Sequence, residues 1–85
     1  MKLELRFFAS LREALGTSQE TIEIPEEVKT VSQLRTHLIA RGGVWAEALA
    51  EGKSLRCALN QTMVDAKTIL KDGAEVAFFP PVTGG

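Results

Sequence analysis

Lys2-Leu3-Glu4-Leu5-Arg6-Phe7-Phe8 at one end of the chain and Glu75-Val76-Ala77-Phe78-Phe79-Pro80-Pro81 at the other are the stretches whose reading decides the fold. In the first, Leu3, Leu5 and Phe7 alternate with Lys2, Glu4 and Arg6, the period of two that belongs to a strand with one buried face. Phe8 breaks the alternation by setting a large ring on the polar side. The second stretch follows the turn pair Asp72-Gly73 and reads as a strand that delivers the chain to Pro80. Its core-facing residues are Val76 and Phe78, which leaves Phe79 on the other face with Phe8.

Between these two strands, Ser10 followed by Glu13 has the spacing of a capping box. Leu11, Ala14 and Leu15 give one apolar side before Gly16, so a short helical connection is expected. Glu20-Thr21-Ile22-Glu23-Ile24 alternates again and stops at Pro25, predicting a second strand antiparallel to the first. Thr30 with Gln33 repeats the capping-box spacing. Val31, Leu34, Leu38 and Ile39 then recur at helical intervals up to Gly42-Gly43, which marks the main helix. Trp45, Ala48 and Leu49 suggest a short helical turn closing at Gly52. Leu55, Cys57 and Leu59 alternate with Arg56, Ala58 and Asn60 as a third strand. Asn60-Gln61 supplies a polar turn into a brief strand, Thr62-Met63-Val64.

Two strands, a main helix and three more strands make an α+β domain in which one helix packs across one face of a small mixed sheet. The ubiquitin-like β-grasp has that order, with its first and last strands parallel neighbours at the sheet's centre. Leu3, Leu5, Phe7, Val76 and Phe78 are then expected to meet Val31, Leu34 and Leu38 of the helix. Residues 1–79 form the β-grasp domain, and residues 80–85 form an extended tail.

The chain has 85 residues, 45% of them hydrophobic and 25% charged, the balance of a single folded domain. Ten basic against eleven acidic residues give a net charge of −1, and no basic run could track a phosphate backbone, so nucleic acid is not an expected partner. The interspersed charges from Lys2 to Arg6 do not form a signal-peptide core. Nowhere do about 18 apolar residues run together, so no membrane partner is expected. Cys57 is the single cysteine, which fits a reducing compartment and a cytoplasmic protein.

Cys57 falls on the core side of its strand, where a free cysteine acts as a small hydrophobe. His37 has no second ligand or carboxylate at a useful spacing and reads as a surface residue, so no metal or bound cofactor is expected. Phe8, Phe79 and Met63 would form an apolar patch on the sheet's open face, of the kind that marks protein contacts. No CxxC, paired-histidine, phosphate-loop or GxSxG motif is present, so the upstream chain carries no active site of its own.

The closing residues are different. Gly84-Gly85 lacks side chains, so this end of the chain can enter a channel too narrow for any Cβ. A chance Gly-Gly ending occurs in roughly 1 chain in 200, so the pair alone is only suggestive. Pro80-Pro81 upstream stiffens the stem, and the six residues Pro80 to Gly85, fully extended, would reach about 20 Å. A carboxylate on Gly85, with a pKa of about 3.5, is a poor electrophile until a partner converts it to an acyl-adenylate. A sulfur donor could then displace AMP and leave a thiocarboxylate.

Phe7-Phe8-Ala9 with Arg12-Glu13 and Gly16, then Asn60-Gln61-Thr62, and above all the block from Asp72 to Gly85 make the chain resemble the MoaD-type sulfur carriers, the small-subunit family of molybdopterin synthase. The resemblance runs over nearly the whole chain, and is weakest over 17–29 and 42–51. It implies a β-grasp fold and a Gly85 that a ubiquitin-activating-like adenylyltransferase adenylates with ATP. A cysteine desulfurase or rhodanese-type donor then supplies the sulfur. It also implies that Pro80, Pro81, Val82, Thr83 and Gly84 thread into the large synthase subunit, where sulfur passes to cyclic pyranopterin monophosphate to build the molybdopterin dithiolene. Two small subunits flanking a large-subunit dimer would make a heterotetramer. A sulfur carrier for another pathway such as thiamine, or a ubiquitin-like modifier joined to lysines, are the competing readings.

Overall fold

A computed structural model describes residues 1–81, and the tail residues Val82, Thr83, Gly84 and Gly85 lie outside the described part. The elements in chain order are β1 (Lys2–Phe7), α1 (Ala9–Leu15), β2 (Gln19–Glu23), α2 (Val31–Ile39), α3 (Gly43–Ala48), β3 (Arg56–Leu59), β4 (Thr62–Val64) and β5 (Glu75–Phe79). They form one five-stranded sheet in the order β2-β1-β5-β3-β4. As the alternation of the two end segments predicts, β1 and β5 are parallel neighbours, with Leu5 opposite Val76 and Phe7 opposite Phe78. All other pairings are antiparallel.

Alternation along β1 is realised residue by residue: Leu3, Leu5 and Phe7 are fully buried, and Lys2, Glu4 and Arg6 are exposed. Val76 and Phe78 join them beneath Val31, Leu34 and Leu38 of α2. The Phe7 and Phe78 rings stack at 6.4 Å, and Trp45 of α3 meets Phe7 edge-on at 5.5 Å. Each large apolar side chain withdrawn in this way contributes about 1.5–3 kcal/mol. The main helix starts as its sequence predicts: Thr30 Oγ1 accepts from the Gln33 amide at 3.2 Å while Gln33 Oε1 accepts from the Thr30 amide, closing a capping box. It ends at Ile39, before the glycine pair. Gly42 and Gly43 both have positive φ and turn the chain into α3.

Two arginine anchors hold the helical layer. Arg41 donates to the Glu20 carboxylate of β2 at 3.0 Å, and its guanidinium lies 4.4 Å over the Trp45 ring. Arg35 donates through Nε to the Leu49 carbonyl at 2.7 Å and through Nη2 to the Lys53 carbonyl at 2.8 Å, fastening the loop after α3.

Three sequence expectations are corrected. The Ser10–Glu13 box does not form: α1 begins at Ala9, and its cap residue is Phe8, with no side-chain cap bond. The cause is tertiary, because the Phe8 amide donates to the Phe78 carbonyl and the Phe8 carbonyl accepts from the Leu11 amide. The first helical turn is thereby fixed where β1 ends, two residues ahead of Ser10. The second strand runs one residue earlier than Glu20–Ile24 because its register is set by β1, with Gln19 opposite Arg6 and Glu23 opposite Lys2. The third strand is confined to Arg56–Leu59, since Asn60 and Gln61 both take positive φ and close a two-residue hairpin into β4.

Candidate functional site

Helices cover one face of the sheet and leave the other open. Cross-strand register fixes what the open face presents. One row runs Arg6, Ala77, Ala58, Met63 across β1, β5, β3 and β4, and Phe79 stands opposite Arg56 in the row beside it. Phe8 follows β1 by one residue, and its amide continues the ladder to the Phe78 carbonyl at 3.3 Å. This puts Phe8 next to Phe79, with ring centroids 6.5 Å apart in a T-shaped contact. Phe8 is 46% exposed and Met63 54% exposed, a large apolar exposure on a face whose buried residues are the small Ala58 and Ala77.

The patch is concave. Arg6, Phe8, Ala58, Gln61, Ala77 and Phe79 line a depression of about 560 Å³, with Pro80 at its edge. Its floor is made of Ala58 and Ala77, small side chains set between larger neighbours and almost wholly covered by them. At the polar end, Arg6 Nε approaches Glu75 Oε2 at 3.6 Å. The apolar end carries the two aromatic rings. Pro80 therefore roots the tail at the border of the depression, the placement that the Phe79-Pro80 junction implies. Met63 shares the Arg6–Ala77–Ala58 row but stands on the outermost strand, beyond the depression itself.

The other candidates carry no chemistry. Cys57 is buried against the core, and burial pushes its thiol up to about 12, so the thiolate needed for nucleophilic attack is suppressed at neutral pH. His37 sits half-buried on α2, and no group of His, Cys, Asp or Glu among the described residues could hold a metal ion. Glu20 is held below its ordinary carboxylate value by the hydrogen bond from Arg41, which outweighs its partial burial; this pair is a structural anchor away from the open face. No helix among the described residues is long and apolar enough to cross a membrane.

Sequence reasoning placed Phe8, Met63 and Phe79 on this face and missed Arg6, Gln61, Glu75, Ala58 and Ala77 as its frame. The available signal was the alternation Glu75, Ala77, Phe79 on the outward side of the last strand, in which a small residue between two large ones leaves a hollow.

A mixed five-stranded sheet with its first and last strands parallel at the centre, helices on one face and an aromatic pair with a proline stem at the end of the central strand has the ubiquitin-like β-grasp fold. The chain belongs to the ThiS family, whose model matches residues 5–85. It is 48% identical over 83 residues to the molybdopterin synthase sulfur carrier subunit of Escherichia coli (strain K12), covering 98% of this chain and 99% of that one. Among solved structures it resembles the protein-protein complex of subunits 1 and 2 of molybdopterin-converting factor from Helicobacter pylori 26695. The TM-score there is 0.67 and the identity 29%, with both chains fully covered. SAMP1 from Haloferax volcanii superposes with a TM-score of 0.75 at 22% identity over the full length of both chains, a likeness of fold alone.

Proposed function

We propose that this chain is the sulfur carrier subunit of a molybdopterin synthase. The observation that carries the reading is the end-to-end match to a relative of that name, at 48% identity. The geometry supports it: the aromatic depression and the root of the tail are adjacent, so one docking event places both the body and the stem. The partner for that face is the large synthase subunit, by analogy with the two-subunit complex from Helicobacter pylori. The work is cytoplasmic, in keeping with a lone, free and buried cysteine.

The chemistry falls on the Gly85 carboxylate. It attacks the α-phosphorus of ATP on an adenylyltransferase, pyrophosphate leaves, and the carboxyl carbon becomes an acyl-adenylate. Sulfur from a desulfurase or rhodanese-type donor displaces AMP, which departs with one of the original carboxylate oxygens, and a thiocarboxylate remains. On the large subunit that sulfur bonds to a carbon of cyclic pyranopterin monophosphate as a carbon–oxygen bond at the same carbon breaks, the oxygen leaving with the phosphate or as water. Water then cleaves the acyl carbon–sulfur bond and restores the carboxylate. No side chain of this protein needs to titrate in these steps. Its own contribution is to position the tail, with Phe8, Met63 and Phe79 docking the body and Pro80 and Pro81 aiming Val82, Thr83 and Gly84.

Intact-mass measurement after incubation with ATP, the adenylyltransferase and a sulfur donor tests the charging step. The expected product is heavier by the difference between sulfur and oxygen, about 16 Da. An unchanged mass under conditions that charge the Escherichia coli relative rejects the reading.

A further inference from the structure

Asn60 occupies a position at which three demands meet. In the β3–β5 register Leu59 lies opposite Val76, so the next pair along the ladder is Asn60 with Glu75. Half of that pair is ordinary backbone: the Asn60 amide donates to the Glu75 carbonyl at 2.8 Å. The other half is not, because Asn60 has turned to φ 49° to start the hairpin. The Glu75 amide instead donates to the Asn60 side-chain oxygen, Oδ1, at 2.9 Å. The side chain thus stands in for a main-chain carbonyl. Asparagine suits this site because it tolerates positive φ and carries an acceptor of the right reach.

The consequence is felt on the open face. β3 pairs with β5 only as far as Leu59, so without a further bond the two turn residues would project past the end of that ladder. The paired hydrogen bonds to Glu75 tie the turn to the central strand four residues before Phe79. Gln61, which follows Asn60 at φ 68°, is thereby held at the rim of the depression, and Glu75 is held where its carboxylate faces Arg6. We propose that Asn60 is a positioning residue of the docking face: it fixes Gln61 and the Arg6–Glu75 pair as a rigid polar rim that orients the partner over Phe8 and Phe79. This rests on the docking role assigned to that face above.

The test compares Asn60→Gly, which keeps the backbone conformation and loses the acceptor, with Asn60→Asp, which keeps both. Phe79→Ala reports on the face itself. For each full-length chain, affinity for the cognate large subunit is measured by calorimetry at 0.3 M salt, where repulsion between the carboxylate introduced by Asn60→Asp and that of Glu75 is screened. Glu75 amide exchange is followed in the free protein. The expected result for Asn60→Gly is an affinity about tenfold weaker and a Glu75 amide that exchanges about tenfold faster, the worth of one good hydrogen bond. The chain stays fully folded at the assay temperature. Asn60→Asp should return affinity to within about twofold of the parent, because the acceptor is restored. A weakened Phe79→Ala beside an Asn60→Gly that binds like the parent overturns the role of Asn60 alone. An Asn60→Asp as weak as Asn60→Gly does the same, since the acceptor would then not matter. A Phe79→Ala that binds like the parent overturns the docking face, and the role of Asn60 with it.

Discussion

Phe78 and Phe79 are adjacent in sequence and sit on opposite faces of β5. Phe78 is 1% exposed, stacked on Phe7 beneath the helices. Phe79 is half-buried, and its ring has only Phe8 as an aromatic neighbour. The covered face commits its apolar residues to the protein's own stability. The open face holds a smaller group of large apolar side chains, with Phe8 and Phe79 lining a hollow that the described residues do not fill and Met63 beyond it. Apolar area left uncovered in this way gains its free energy when another protein covers it.

The sharpest way to break this comparison is to truncate both rings in turn. Phe78→Ala should cost about 3–5 kcal/mol in urea unfolding, a large part of the stability of a domain this size. A loss below about 1 kcal/mol would mean that the covered face is not the core. Phe79→Ala should change stability by less than about 1 kcal/mol and weaken affinity for the large subunit by about 2 kcal/mol, roughly thirtyfold. If instead it unfolds the chain as Phe78→Ala does, the two faces are not distinct.

Cys57 sharpens the same contrast from the covered side. Its folded pKa is raised by burial to about 12, so its contribution to stability is complete below the unfolded thiol's pKa, about 8.5. That contribution is lost progressively as pH rises from there toward the folded value. Urea unfolding of the parent and Cys57→Ala between pH 8 and pH 10.5 should show the parent's advantage shrinking with pH. The native thiol should also resist a thiol reagent at pH 8 and react once denatured.

The smallest effect belongs to the rim of the helical layer. Arg41→Ala should cost less than about 1 kcal/mol, because the Glu20–Arg41 pair is partly open to solvent and screened by it. The folded Glu20 pKa is lowered, so its ionic contribution is complete above the ordinary carboxylate value, about 4.3, and is lost as pH falls through the folded value. Parent and variant should therefore converge in acid, and converge further in 1 M salt as measured by thermal unfolding.

The two faces also differ in how far they could be read from sequence. The alternation of Leu3, Leu5 and Phe7, the helical spacing of Val31, Leu34 and Leu38, and the Thr30–Gln33 box are local patterns, and each is realised as written. Parity likewise put Phe8 and Phe79 outward together. The start of α1 was not legible, because a bond from Phe8 to Phe78, seventy residues away, overrides the local Ser10–Glu13 signal. Nor was the hollow: Ala58 and Ala77 are covered on the open face only because register sets them side by side in one row. The clasp of Asn60 on Glu75 depends on that same register. The expectation that Gly84-Gly85 forms a slim, extended tip falls outside the described residues, and rests on sequence and relatives alone.

The central claim, that the chain carries one sulfur on Gly85 and delivers it through the docked face, is tested most directly by turnover of preloaded protein. Thiocarboxylated chain is mixed with the large subunit and cyclic pyranopterin monophosphate, and molybdopterin and chain mass are followed together. A dithiolene holds two sulfurs and each chain supplies one, so the account predicts two chains reverting to the lighter carboxylate for each molybdopterin formed. A chain that keeps its sulfur, or loses it without forming molybdopterin, would contradict the account.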